Sequence, residues 1–80
     1  MTMLAVFRSR AQSLEFISVL KSGGVAAQAV NTPREANVGC GISVKFEEPF
    51  FPRVQFYLRR KPYSSFSGFM KKIGGRFVYI

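Results

Sequence analysis

The residues from Ser9 to Gly24 carry signals for both ends of an α-helix, and they constrain the fold more than any other segment. Ser9 is typical of an N-cap, and Gln12 three residues later completes a capping box. The pair Gly23-Gly24 predicts the end of the helix. Apolar residues recur between these signals at helical spacing: Ala11, Leu14, Phe16, Ile17 and Leu20.

Short segments typical of β-strands surround this helix. Met3–Phe7 precedes it as an apolar run, and Val25–Asn31 follows it. Ile42–Phe46 alternates strictly, so we expect its Ile, Val and Phe side chains to face inward while Ser43 and Lys45 face outward. Each strand is bounded by glycine, proline or a change of period.

A second helix and a hairpin complete the predicted order. A segment from Phe51 or Pro52 to Lys61 places apolar residues on one helical face, and Pro62 ends this helix. Residues 66–73 fit either a helix or a strand, and the following Gly74-Gly75 favours a β-hairpin. The sequence therefore predicts one α+β domain over residues 1–80. Its architecture is a ferredoxin-like βαββαβ sandwich, an antiparallel sheet with two helices on one face, extended by a C-terminal hairpin.

Charge and composition narrow the function classes. The chain has 12 Lys and Arg against 4 acidic residues, a net charge of +8, which favours an acidic protein or a nucleic acid as partner. Aromatic residues make up 15% of the chain, which is more than a small core is expected to bury. We therefore expect some of them to face a partner or a second copy in a homodimer. No stretch approaches the roughly 20 apolar residues of a membrane span. A single cysteine, with no signal-peptide pattern at Met1–Arg10, favours the reducing cytoplasm.

Cys40 is the only cysteine, and it lies between Gly39 and Gly41. The chain has no histidine, and its four acids show neither a catalytic nor a metal-ligand pattern, so we expect no metal and no bound cofactor. A reactive thiol needs a nearby cation to favour the thiolate, and Arg34 is the nearest candidate, with Lys45 a weaker one. The glycines leave the backbone open to a sulfur adduct or a partner. The alternative is that Cys40 is a small buried hydrophobe.

The segment before the cysteine predicts a short helical turn. Thr32 is placed to cap it, Pro33 to occupy its first position and Glu35 to reach back toward the cap, so that Arg34–Val38 would coil once before Gly39.

The pattern Pro33-Arg34, a short spacer, Cys40-Gly41 and the strand ISVKF resembles the selenium/sulfur carrier protein-like family. The opening MLAVFRSRAQSLEFISVLKSGGV is similar to the first strand and helix of that family, and the likeness covers roughly residues 3 to 46. The resemblance implies a non-enzymatic carrier in which Cys40 accepts a persulfide or perselenide from a donor protein and passes it to an acceptor enzyme. Gly39, Gly41 and Arg34 would shape that site.

Other functions stay open at this point. A basic nucleic-acid-binding module would stack bases on exposed sheet aromatics such as Phe66, Phe69 or Tyr79. A protein-interaction domain would instead keep Cys40 buried and use its phenylalanine surface for a partner.

Overall fold

The structure is a computed structural model, and it describes residues 1–38 and 41–80. Its fold is mixed α+β, with five antiparallel strands in one sheet and two α-helices among these residues. In chain order the elements are β1 (Thr2–Phe7), α1 (Arg10–Ser22), β2 (Gln28–Asn31), a 3-10 turn (Arg34–Ala36), β3 (Ile42–Glu47), a 3-10 turn (Glu48–Phe50), α2 (Phe51–Arg60), β4 (Phe66–Ile73) and β5 (Arg76–Tyr79).

The strands lie in the order β2-β3-β1-β4-β5, and each hydrogen-bonded pair is antiparallel. Strand β1 is central: Ala5 lies opposite Val44 of β3 on one side and Phe69 of β4 on the other. The C-terminal hairpin is confirmed, because β4 pairs with β5 around Gly74-Gly75. Both glycines have positive φ (59° and 80°), as a tight two-residue hairpin turn requires.

The helices cover one face of the sheet. On β1, Met3, Ala5 and Phe7 point to this side and join the larger apolar core. Helix α2 begins and ends close to prediction and buries Val54 there. The other buried members of the core come from both helices, the neighbouring strands and the connections: Phe16, Ile17, Leu20, Val25, Ala27, Val44, Phe46 and Tyr63.

Helix α1 has the predicted ends, but half of its capping box is replaced. The Ser9 hydroxyl accepts a hydrogen bond from the Gln12 amide (3.2 Å), and the Gly23 amide donates to carbonyls of the last turn. The Gln12 side chain does not return to Ser9. Its Oε1 accepts from the Ser65 amide (2.9 Å) and its Nε2 donates to the Ser64 hydroxyl (3.1 Å). The Gln12 side chain therefore connects α1 by hydrogen bonds to the segment that leads into β4.

The second face of the sheet is covered by the connection between β2 and β3. Leu4, Val6, Ala36 and Met70 form a smaller core on this side. The prediction that Ser43 faces solvent is wrong: Ser43 is fully buried, and its hydroxyl lies 2.8 Å from the Thr32 hydroxyl. A local period of two shows which residues share a face of the strand, but it does not show that a distant segment folds across that face.

The second strand is shorter than predicted. Strand β2 begins at Gln28, because Val25 to Ala27 form an irregular segment in which Val25 and Ala27 are buried. Within the part of the chain that the structure describes, no helix has the length and apolar character to cross a membrane.

Candidate functional site

The candidate site is the connection from Thr32 to Gly41, which carries the predicted Pro-Arg and Cys-Gly pairs. Gly39 and Cys40 themselves lie outside the described residues, and the residues on either side of them define the site. The two stems of the connection are joined, since the Thr32 amide donates to the Gly41 carbonyl (3.0 Å). With the bond between the Thr32 and Ser43 hydroxyls, this contact fixes where the connection leaves and re-enters the sheet.

Gly41 is exposed, and a Cβ atom placed on it would have open space around it. Its φ is not in the left-handed region, so the backbone does not demand glycine at this position. A side chain is therefore sterically possible at residue 41.

The turn before the cysteine is shorter than predicted and is capped differently. It spans Arg34–Ala36, and Asn37 ends it in the left-handed conformation (φ 54°, ψ 42°). The predicted capping by Thr32 and Glu35 is wrong. The N-cap residue of the turn is Pro33, and no side chain forms a capping hydrogen bond. The Thr32 hydroxyl is engaged with Ser43 instead. Asparagine tolerates positive φ, which explains why the turn ends before Val38.

The C-terminal hairpin holds this turn against the sheet. The Tyr79 hydroxyl donates to the Ala36 carbonyl (2.7 Å), and the Phe77 amide donates to a Glu35 carboxylate oxygen at 3.4 Å. Ala36 is 3% exposed and packs with Leu4, Val6 and Met70, under partial cover from Phe77. The turn that carries the Pro-Arg pair is thus fixed by a strand far along the chain.

The two candidate cations have different positions. Arg34 is exposed on the 3-10 turn, and no ion pair joins it to another described residue. Lys45 lies in mid-strand, opposite Leu4 and Gln28, and is half-buried. Of the two, Arg34 lies closer in the chain to the Cys-Gly pair and belongs to the same connection.

The aromatic residues proposed to stack nucleic-acid bases do not form an open platform. Phe66 and Phe69 pack toward the helices: Phe66 contacts Phe7 (ring centroids 5.4 Å apart) and Phe69 contacts Phe51 (4.9 Å). The Tyr79 hydroxyl is bonded to the turn. The two phenylalanines therefore serve the core.

Positive charge is concentrated on the helical layer instead. The helices and the residue after α2 carry a single acid, Glu15, and six exposed cations, which are Arg10, Lys21, Arg53, Arg59, Arg60 and Lys61. Most of the net charge of the chain lies on this layer, on the sheet face opposite the Pro-Arg turn.

Tyr79 is a member of the site that was not predicted from the sequence. A tyrosine near a chain end has no local pattern that predicts a bond to a residue 43 positions earlier. The only available signal was the alternation of β5, which places Phe77 and Tyr79 on one face.

Comparison with known proteins supports the resemblance found at the Pro-Arg and Cys-Gly pairs. A family model described as "Putative Se/S carrier protein-like" matches residues 2–63. No curated protein and no solved structure matches the chain significantly. The matched region extends beyond the predicted residues 3 to 46 to include α2, and it ends before the hairpin that holds the turn. By this match the chain belongs to the Se/S carrier protein-like family.

Proposed function

We propose that this chain is a carrier in which Cys40 holds sulfur or selenium transiently and passes it to an acceptor enzyme. The observation that carries the proposal is the family match, which includes the Pro33-Arg34 and Cys40-Gly41 pairs. The chain has no histidine, the usual base beside a nucleophilic thiol, and we propose carriage without turnover.

The loading step is a thiol exchange. The Cys40 thiolate attacks the terminal sulfur of a donor persulfide, a new S–S bond forms on Cys40, and the donor S–S bond breaks to release the donor thiolate. A donor perselenide reacts in the same way at its terminal selenium. Delivery repeats the exchange toward a nucleophile of the acceptor, and Cys40 leaves as thiolate. Neither step consumes an oxidant or a reductant.

The roles proposed for the neighbouring residues follow from their positions. Gly39 and Gly41 would leave room for a partner's active site, and Gly41 is exposed with open space around it. Arg34 would stabilise the anionic sulfur, because it is the exposed cation of the same connection. The contacts of Tyr79 and Phe77 support this assignment, since they fix the turn on which Arg34 lies.

We also propose that the fold is ferredoxin-like with one strand added. The order β2-β3-β1-β4 and the two helices on one face support this description, and β5 extends the sheet at the β4 edge. A single domain that works in the cytoplasm is consistent with a lone cysteine that must stay reduced.

The test is intact-mass spectrometry after exposure to glutathione persulfide, with excess low-molecular-weight thiol removed. The native chain is expected to gain a single sulfur atom, and Cys40→Ala is expected to gain none. Because Cys40 is the only cysteine, the variant has no thiol and keeps every charged side chain. No mass gain on either protein, with Cys40 resistant to alkylation until the chain is denatured, would refute the carrier and indicate a buried structural thiol.

A second candidate, a module that binds an acidic protein or a nucleic acid, is favoured by the helical layer. Phe56 is 50% exposed there, and the Arg60 guanidinium lies 5.5 Å from its ring centroid. Such binding would weaken with added salt and would be indifferent to Cys40→Ala. Self-association through the exposed apolar residues would instead appear as a homodimer that persists in high salt.

A further inference from the structure

A groove with a cavity volume of about 520 Å³ lies between the C-terminal halves of α1 and α2. Val19 and Tyr57 contribute apolar surface to it, and Tyr63 lines it from the segment after α2. This volume is within the range of small-molecule sites in proteins. The groove is formed by the helical layer, so it is separate from the Pro-Arg turn on the other face of the sheet.

Tyr63 contains an unusual buried group. Its ring packs edge-on against Phe7 (5.6 Å) and Phe16 (5.2 Å), and the residue is only 8% exposed. The hydroxyl is buried and has no hydrogen-bond partner among the residues that the structure describes. Buried hydroxyls are normally paired with protein or ligand atoms, because an unpaired one loses its hydration without compensation.

Burial also keeps this hydroxyl protonated. A tyrosine hydroxyl is a neutral hydrogen-bond donor at physiological pH, and desolvation raises the pKa of Tyr63 above its usual value of 10.0, which extends this state to more alkaline pH. A ligand with an acceptor oxygen could accept a hydrogen bond from this hydroxyl.

The charges around the groove are not balanced. Lys61 forms an ion pair with Glu15, and its ammonium lies 5.5 Å from the Tyr63 ring centroid. Arg60 also lines the groove, and no ion pair links it to any described residue. Two cations and one acid leave one positive charge in the lining. The Lys61 ammonium of this exposed ion pair lies over the Tyr63 ring, and such pairs rearrange at little cost in free energy.

We propose that this groove binds a small organic anion with a flat apolar body, such as an aryl carboxylate. Its body packs on Val19 and the Tyr57 ring, and its carboxylate is held by Arg60 and by a hydrogen bond from the Tyr63 hydroxyl. One uncompensated cation matches a ligand with one negative charge, and the apolar lining disfavours a strongly hydrated ion such as free phosphate. This site does not depend on Cys40 and goes beyond the proposed carrier function.

The probe is 2-naphthoate, followed by NMR chemical-shift titration of the full chain, with the uncharged 2-naphthalenemethanol as the matched ligand. Arg60→Gln removes the cation of the groove. Arg59→Gln is the matched control, because Arg59 is exposed on the same helix and does not line the groove. Tyr63→Phe removes the hydroxyl and keeps the ring that packs on Phe7 and Phe16.

We expect 2-naphthoate to shift the amides of Val19, Gly23 and Tyr63. Arg60→Gln and Tyr63→Phe should each weaken its binding about five- to tenfold, and Arg59→Gln less than about twofold. The alcohol should bind with the same affinity to the native chain and to both arginine variants. No binding of 2-naphthoate at millimolar concentration, shifts outside the groove, or equal effects of the two arginine variants would each overturn the proposal. A Cys40→Ala chain should bind as the native chain does, so failure here and failure of the carrier function are distinguishable.

Discussion

The Tyr79 hydroxyl donates a hydrogen bond to the Ala36 carbonyl over 2.7 Å and so joins the last strand to the turn that carries the Pro-Arg pair. Ala36 is buried under the same hairpin, with Phe77 packed against its cluster. The hairpin lies beyond the residues that the family model matches. The C-terminal hairpin, which lies outside the matched region, therefore stabilises the turn that carries the Pro-Arg pair of the family.

Tyr79→Phe tests this bond. The ring remains in place, and the lost hydrogen bond is expected to lower the free energy of unfolding by about 0.5–1.5 kcal/mol. Hydrogen exchange should become faster at the Ala36 and Asn37 amides, whose bonds to Pro33 and Arg34 close the turn. Tyr57→Phe is the control, because Tyr57 lies on the helical side of the sheet. Unchanged exchange in the turn would contradict a holding role for Tyr79.

Substitution by alanine should destabilise the protein at Gly23 and leave its stability unchanged at Gly41. A Cβ atom at Gly23 would overlap the Tyr57 ring, whereas one at Gly41 would meet open space. Gly23→Ala is expected to cost about 1–3 kcal/mol, because α1 and α2 must move apart. Gly41→Ala should leave the free energy of unfolding unchanged. Urea unfolding of both variants measures the difference, and equal stability would contradict the close approach of Tyr57 to α1.

Removal of the Tyr63 hydroxyl should stabilise the protein. An unpaired buried hydroxyl costs roughly 1–3 kcal/mol, and phenylalanine keeps the ring contacts without that cost. We expect Tyr63→Phe to unfold at a higher temperature than the native chain, whereas Tyr79→Phe unfolds at a lower one. A clear loss of stability in Tyr63→Phe would show that the hydroxyl has a partner in solution.

The same hydroxyl predicts a dependence of stability on alkaline pH. The folded pKa of Tyr63 is raised above 10.0, so above that pH the unfolded chain releases a proton that the folded chain retains. The native chain should therefore lose stability relative to Tyr63→Phe as the pH rises from the unfolded toward the folded pKa, and the difference should be constant below that window. Thermal midpoints of both proteins across this range measure the effect. A constant difference throughout would contradict the raised pKa.

The elements of the fold were largely predictable because their signals are local. Ser9 and Gly23 mark the ends of α1, and Gly74-Gly75 marks the C-terminal hairpin. The failures concern contacts between distant segments. Gln12 was expected to close a local box and instead bonds Ser65, 53 residues away. Ser43 was expected at the surface and is covered by the connection that contains Thr32.

The residue pairs of the candidate site could be recognised in the sequence, but the contacts that distant segments make with them could not. Pro33-Arg34 and Cys40-Gly41 are adjacent pairs, and short spacings of this kind are readable without a structure. The contribution of Tyr79 depends on the sheet order, which places β5 where it reaches the turn. The groove beside Tyr63 depends on how two helices pack, and no spacing in the sequence encodes it.

The measurement that tests the carrier most directly is release of the cargo. The persulfide-loaded chain, freed of its donor, is treated with cyanide, which takes the terminal sulfur as thiocyanate while the S–S bond breaks and the Cys40 thiolate is restored. We expect about one thiocyanate for each loaded chain and a return to the original mass, with none from Cys40→Ala. Thiocyanate at the same level from both proteins, or a sulfur that cyanide cannot remove, would contradict a carrier at Cys40.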